Sequence, residues 1–251
     1  MSPASLSWYG RTVNVMDQAG GPSDSFLRGL SPAGKMGDTA CLLGDLRAAV
    51  LAGDYLPGTM ISIDAVARLY GVSPIPVREA LKVLVGEELV EHTPGVGYMT
   101  SVMTMAELAE LRRSRRALET VALDALLGRR DAAALDVAVP APRVATARDW
   151  LAEERRFHLA LMGAVGMPRM AETYTRLWNI AERHAALLCP TAAVADLLRR
   201  DHRDLQLALR GGDQRRAQEV LAEHYARMDQ AAEPHADDPR YFVSVHPRVA
   251  G

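Results

Sequence analysis

Apolar positions between residues 42 and 100 fall into three short helical runs followed by two extended ones, and those after Met105 fall into long helical runs only. LLGDLRAAVLAG has apolar residues at three-and-four spacing and reads as a helix stopped at Gly53. YLPGTMI follows as a turn around Pro57-Gly58. IDAVARLYG reads as a second short helix, ended by Gly71. GVSPIPVREALKVL reads as a third, over about 74–86. Its entrance is unusual. Ser73 stands at the cap, where its hydroxyl is expected to accept from a first-turn amide. Pro74 falls at the first helical position, where a missing N–H costs nothing, and Pro76 is tolerated in the same turn. Val77, Leu81 and Leu84 then share a face expected to be buried, while Pro74, Arg78 and Lys82 share another at spacing i, i+4, i+8. LVEHTPGVGYMTSV reads as two extended runs around Pro94-Gly95-Val96-Gly97, a hairpin signal.

The order helix, helix, helix, hairpin is that of a winged helix-turn-helix, whose third helix enters the major groove. Arg78 and Lys82 are the candidates to meet phosphates or base edges. A generic helical hairpin carrying two surface cations is the competing reading. Beyond Met105 the pattern is helical throughout: AELAELRRSRRALETVALDALL, then an interruption at VAVPAPRVAT, then helices over about 146–165, 167–188, 194–210 and 213–231. The expected fold is mainly α, a winged helix-turn-helix of three helices and a small β-hairpin wing followed by an all-α antiparallel bundle. The expected domains are a loose, disordered tail over 1–38, rich in Ser, Gly and Pro, a winged domain over 39–102, a helical domain over 103–232 and a loose C-terminal tail over 233–251.

Composition adds limits. With 251 residues of which 49% are hydrophobic, real cores can form. A net charge of −2 gives no global sign of nucleic acid or membrane. Within 41–102 four cations face seven anions, a net −3, so a DNA contact there must be made by a local face. The two cysteines, Cys41 and Cys189, fit a reducing compartment; the N-terminus lacks the pattern of a secretory signal, and no stretch has the roughly 18 apolar residues of a membrane span. A cytoplasmic protein without membrane contact is expected.

The helical half carries candidate metal chemistry. Glu154 and His158 are four apart and share a helix face. His202 precedes the break Gly211-Gly212-Asp213 by nine residues, and His224 follows it by eleven. Each imidazole therefore lies roughly 14–17 Å from the turn, level with the other if the two helices are antiparallel. Three His and one carboxylate suit Zn2+ or a similar divalent ion. Each of these His is equally read as a partly buried polar residue with a local partner. Of the run RRSRR at 112–116, a solvated or dimer-facing surface is the plain reading, and Glu119, four after Arg115, fits a helix ion pair. Met162, Met167 and Met170, like Trp150 and Trp178, read as packing residues.

Residues 51–100 resemble the DNA-binding domain of GntR-type bacterial transcription regulators. The resemblance is carried by Gly53 with Leu56-Pro57-Gly58, Ala67 with Leu69 and Gly71-Val72-Ser73, Pro76-Val77-Arg78-Glu79-Ala80-Leu81, Leu89-Val90 and Gly97. It implies a DNA-contacting set of Ser73, Pro74, Arg78, Lys82 and Gly97. Pro74 departs from the arginine usual at that place, and Val96 from the usual basic residue. Residues 105–231 resemble the FCD ligand-binding domain of the FadR subfamily, through Arg115 with Leu118-Glu119, Phe157-His158 with Leu161, Asp201-His202, Ala208-Leu209, and Ala217 with His224. That likeness implies a metal held by Glu154, in place of the usual Asp, with His158, His202 and His224. It also implies that Arg115 points into an effector cavity, where a bidentate contact suits a carboxylate. The function implied is a regulator, commonly a repressor, that binds double-stranded operator DNA as a homodimer and responds to a small organic acid. Two rivals stand beside it. One is a metal-dependent hydrolase, against which neither a separately placed general base nor a GxSxG motif is found. The other is a regulator relic that binds ligand but no DNA.

Overall fold

The computed structural model describes residues 5–8, 11–14, 24–27, 30, 39, 41–52, 55–129, 147–187, 191–238 and 241–243. They fall into two compact units, one drawn from Met1–Met105 with Ala236–Gly251 and the other from Ala106–His235.

In the first unit, β1 (Ser5–Trp8) and β2 (Arg11–Asn14) pair antiparallel, and α1 (Asp24–Leu27) precedes the three helices read from the sequence. These are α2 (Leu42–Leu51), α3 (Ile63–Tyr70) and α4 (Pro74–Gly86). Their apolar faces close on one core in which Leu46, Val50, Val66, Val77, Leu81 and Leu84 are each sealed from water. Every such side chain contributes about 1.5–3 kcal/mol by burial. α2 ends at the Ala52 cap, and the expected stop Gly53 lies outside the described residues. At the end of α3, Gly71 takes φ +65°, a left-handed cap that lets the Val72 amide reach the Ala67 carbonyl at 3.0 Å. The wing is a three-stranded antiparallel sheet in the order β3 (Met60–Ile61), β5 (Gly97–Thr100), β4 (Val90–Thr93). Gly97 has φ +122°, a conformation that side chains rarely adopt.

Both expected tails need correction where they are described. Phe26 is fully buried, stacks on Tyr55 with ring centroids 4.4 Å apart, and accepts the Tyr55 hydroxyl at its carbonyl at 2.6 Å. A Ser/Gly/Pro-rich composition hides such an anchor, because one aromatic ring outweighs many small polar neighbours in buried area. At the other end, a 3-10 turn spans Glu233–His235, Phe242 is buried, and the Val243 amide donates to the Met103 carbonyl at 3.0 Å.

The second unit is a bundle of five helices among the described residues: α5 (Met105–Arg129), α6 (Ala147–Ala164), α7 (Pro168–Leu187), α8 (Ala192–Gly211) and α9 (Gln214–Ala232). The interruption VAVPAPRVAT and Cys189 lie outside the described residues. One core joins all five, with Leu123, Phe157, Leu161, Tyr174, Trp178, Leu205, Leu209 and Val220 inside it. Met162 is buried there, whereas Met167 is 42% exposed because it stands in the α6–α7 turn. The α8–α9 hairpin turns on Gly212 at φ +68°, and the Asp213 carboxylate caps α9 by accepting the Arg216 amide at 2.9 Å. That tight, doubly capped turn holds two positions equally far from it at the same height.

Candidate functional site

In the first unit, the face of α4 opposite its core is exposed, and Ser73, Pro74, Arg78 and Lys82 all lie on it. Ser73 occupies the N-cap, but its hydroxyl makes no capping hydrogen bond, which corrects the expectation. A capping oxygen takes the amide of the second or third helical residue; Pro76 in third place has none, and the hydroxyl does not take the Ile75 amide. Arg78 enters no ion pair among the described residues. Lys82 does: its Nζ lies 2.8 Å from Glu79 Oε1, and that hydrogen bond raises the ammonium pKa. At the wing, Val96 is 38% exposed, and Gly97 serves the turn with Met60 Cε 3.4 Å from where its side chain would begin.

In the second unit, α6 supplies Glu154 and His158, α8 His202 and α9 His224, all buried. His158 Nε2 lies 3.2 Å from His224 Nε2 and 3.3 Å from His202 Nε2. Glu154 Oε2 lies 3.4 Å from His158, 3.5 Å from His202 and 3.3 Å from His224, each measured to Nε2. Glu154 Oε2 is sealed from solvent and has no hydrogen bond of sound geometry. These five separations run from 3.2 to 3.5 Å and all four donor atoms lie within 4.8 Å of one another, close enough for one ion at about 2 Å from each, the bond length of Zn2+ to imidazole and carboxylate. The residues therefore fit a divalent ion.

Glu154, His202 and His224 act strongly on one another's protonation. Burial pushes the Glu154 carboxyl up, but the charges of His202 and His224 outweigh it and hold it well below the usual range. Burial pushes His202 down to about 4 against the pull of Glu154. Burial acts on His224 in the same sense, yet Glu154 and Asp201 raise it to about 9.

Around these four stands a shell only partly legible in the sequence. Glu119, fully buried on α5, accepts from His158 Nδ1 at 2.5 Å, fixing that ring with Nε2 toward the cluster. The Tyr174 hydroxyl donates to the same Glu119 oxygen. So Glu119 turns inward instead of pairing with Arg115, as its i, i+4 spacing suggested. Burial opposes its charge, but His158, Arg115 and Tyr174 hold its carboxyl below the usual value. Asp201 Oδ2 lies 3.7 Å from His224 Nδ1 and receives Arg227 Nε at 3.0 Å. Phe157 stacks on His202, centroids 3.9 Å apart.

Arg115 is 2% exposed. Its Cζ lies 3.8 Å over the Trp178 ring, and its Nη2 donates to the Tyr174 hydroxyl at 3.4 Å. Trp178 is thus more than packing: it covers a buried guanidinium. Arg112, read as surface, is also buried and donates to the Met228 carbonyl and the Asp229 carboxylate, both at 3.0 Å; Arg113 and Arg116 are exposed. Charge runs on a helix alternate in burial with its 3.6 period, which composition alone conceals.

Residues 42–99 match the family described as bacterial regulatory proteins, gntR family, and residues 105–227 match the FCD domain. An HTH-type transcriptional regulator in an unstable DNA locus of Streptomyces ambofaciens is 37% identical over 122 residues, 49% of this chain and 48% of that protein. The chain thus spans about half the length of that relative. The HTH-type transcriptional repressor GlaR of Escherichia coli (strain K12) is 23% identical over 190 residues, 70% of this chain and 86% of the repressor. Among solved structures, E. coli McbR/YncC superposes with a TM-score of 0.64 at 23% identity, over 78% of this chain and 98% of that one. A GntR transcriptional regulator from Rhodococcus sp. RHA1 gives 0.60 at 22% identity, over 78% and 97%. These likenesses are to regulators and not to enzymes, which sets the hydrolase reading aside. No helix among the described residues is long and apolar enough to cross a membrane.

Proposed function

Because the chain belongs to the GntR family of bacterial transcription regulators and carries an FCD domain behind its winged helix-turn-helix, we propose that it is a repressor whose hold on operator DNA is modulated by a small organic acid taken up in the helical bundle. It acts as a homodimer in the cytoplasm, reading two half-sites with two copies of α4. Arg78 is the principal cation of that reading, and Ser73, Pro74, Lys82 and Gly97 line or shape the same face.

Glu154, His158, His202 and His224 would hold a divalent ion, and three imidazoles with one carboxylate suit Zn2+. When bound, that ion supplies a Lewis-acidic anchor for a carboxylate. Arg115 supplies a fixed guanidinium for the same acid, held in place by Trp178 and Tyr174. Glu119 orients His158 and neutralises part of the charge that Arg115 brings into the bundle. Arg115 and Glu119 both sit on α5, which four residues separate from the wing strand β5, so an acid seated there acts on the helix that directly follows the DNA-binding domain in the chain. The resulting coupling between acid and DNA is on the order of 1–3 kcal/mol, typical of linked sites.

The observation that carries this reading is the buried convergence of four donor atoms within 4.8 Å of one another. Elemental analysis of the purified protein tests it. About one divalent ion per chain is expected, lost in a His202→Ala/His224→Ala double variant; wild-type protein free of metal contradicts the site.

A further inference from the structure

The tip of α4 carries an apolar side chain that the core built by the described residues of its unit does not use. Ile75 is 68% exposed, the highest value among the exposed large apolar side chains of the described residues, and it is absent from the core its neighbours build. It stands at the second helical position, where a groove-reading helix brings its side chains to base edges. Pro74 and Pro76 flank it. Neither has an N–H, so among the first three helical residues only Ile75 itself offers a backbone donor. The two rings also fix φ on either side, so the Ile75 side chain is held out at little further entropic cost. The nearest side-chain cation without an ion pair is Arg78, three residues on; Lys82 is engaged with Glu79.

We propose that Ile75 selects thymine in each half-site by packing against the C5-methyl group in the major groove. This rests on the regulator reading above. The major-groove edges of guanine, adenine and cytosine present only donors and acceptors, whereas thymine adds a methyl group. A helix start with two of its first three backbone donors removed, carrying a branched alkyl group beside the Ser73 hydroxyl, matches that methyl, and the Ile75 side chain itself gives the other three edges no hydrogen-bond partner. Hydrogen-bonded reading falls to Arg78, one turn further along the same face.

The test uses the full chain and duplex DNA. Sites are selected from a random duplex pool at about 50 mM salt, where phosphate contacts are strong. Each thymine of the selected site is then replaced in turn by deoxyuridine, which differs only by the lost methyl. At one thymine or more per half-site, wild-type protein is expected to bind about fourfold more weakly, the worth of one buried methyl-sized group. Ile75→Ser, whose parent side chain is exposed and whose melting temperature should be unchanged, is expected to bind both duplexes alike, while Ile75→Val keeps a preference for thymine. Wild-type indifference to every deoxyuridine, or a preference that survives in Ile75→Ser, overturns the assignment while leaving the regulator reading intact. Failure to select any duplex overturns the regulator reading, and the assignment with it.

Discussion

Glu119 and His158 meet inside the bundle with Oε1 and Nδ1 2.5 Å apart, and neither is accessible to solvent. A carboxylate in that place keeps the proton on Nδ1 and turns Nε2 toward Glu154, His202 and His224. Such outer partners of a ligating His are worth roughly 10–100-fold in metal affinity. Glu119→Gln is nearly isosteric and removes the charge, so it should weaken metal binding by about tenfold with the helical content retained. Competition against a chromophoric chelator reads this directly. Equal affinity in both proteins means that Glu119 does not orient the ligand.

Metal uptake should depend on pH in a definite direction. His224 rises to about 9 because Glu154 and Asp201 favour its charged form, so near neutrality it carries a proton that binding must displace. The raised value stabilises the metal-free fold below the ordinary His range near 6.5 and is lost as pH climbs through about 9. Over that interval metal affinity should climb roughly tenfold per pH unit, with about one proton released per ion. Calorimetry in buffers of different ionisation enthalpy measures the release; a pH-independent affinity with none contradicts it.

Glu88 is the one residue other than glycine with positive φ among the described residues, at +62° just past the end of α4. Its amide satisfies the Val85 carbonyl at 3.0 Å, and the following Leu89 amide satisfies Leu84, so the conformation belongs to the helix stop. Holding a side chain there costs about 1 kcal/mol relative to glycine. Glu88 is exposed, so Glu88→Gly should stabilise the winged domain by about that amount in urea unfolding; a loss of stability shows that the carboxylate has a role of its own.

Pro74 is exposed at the first position of α4 and gives up no helix hydrogen bond by standing there. Pro74→Arg places a cation on a helix tip that now lacks one. DNA affinity at low salt should rise, and the slope of log affinity against log salt should steepen by about one unit. Weaker binding or an unchanged slope places this residue away from the groove.

Much of the architecture was legible because it repeats locally. The stop of α3 follows from Gly71 and the start of α4 from the prolines, and Val77, Leu81 and Leu84 are buried as their spacing requires. His202 and His224 could be brought together on paper because a hairpin of equal arms aligns positions equidistant from its turn, and Glu154 with His158 because i, i+4 shares a face. What stayed hidden is non-local. Glu119 contacts a residue 39 positions away and Tyr174 one 55 away, and no periodicity within α5 or α7 encodes the other helix. Ser73 misled for a local reason: the cap was read from its own residue type, while Pro76 leaves the Ile75 amide as the one donor in reach and the hydroxyl does not take it.

The central claim is that α4 binds DNA through Arg78, despite the acidic balance around it. The most direct measurement is fluorescence anisotropy of the full chain on the DNA upstream of its own gene at about 50 mM salt, wild type beside Arg78→Ala. Tight wild-type binding is expected, with Arg78→Ala weaker by roughly 10-fold or more and its salt slope shallower by about one unit. If wild type does not bind, or if both proteins bind alike with the same slope, α4 is not the reading element and the account fails.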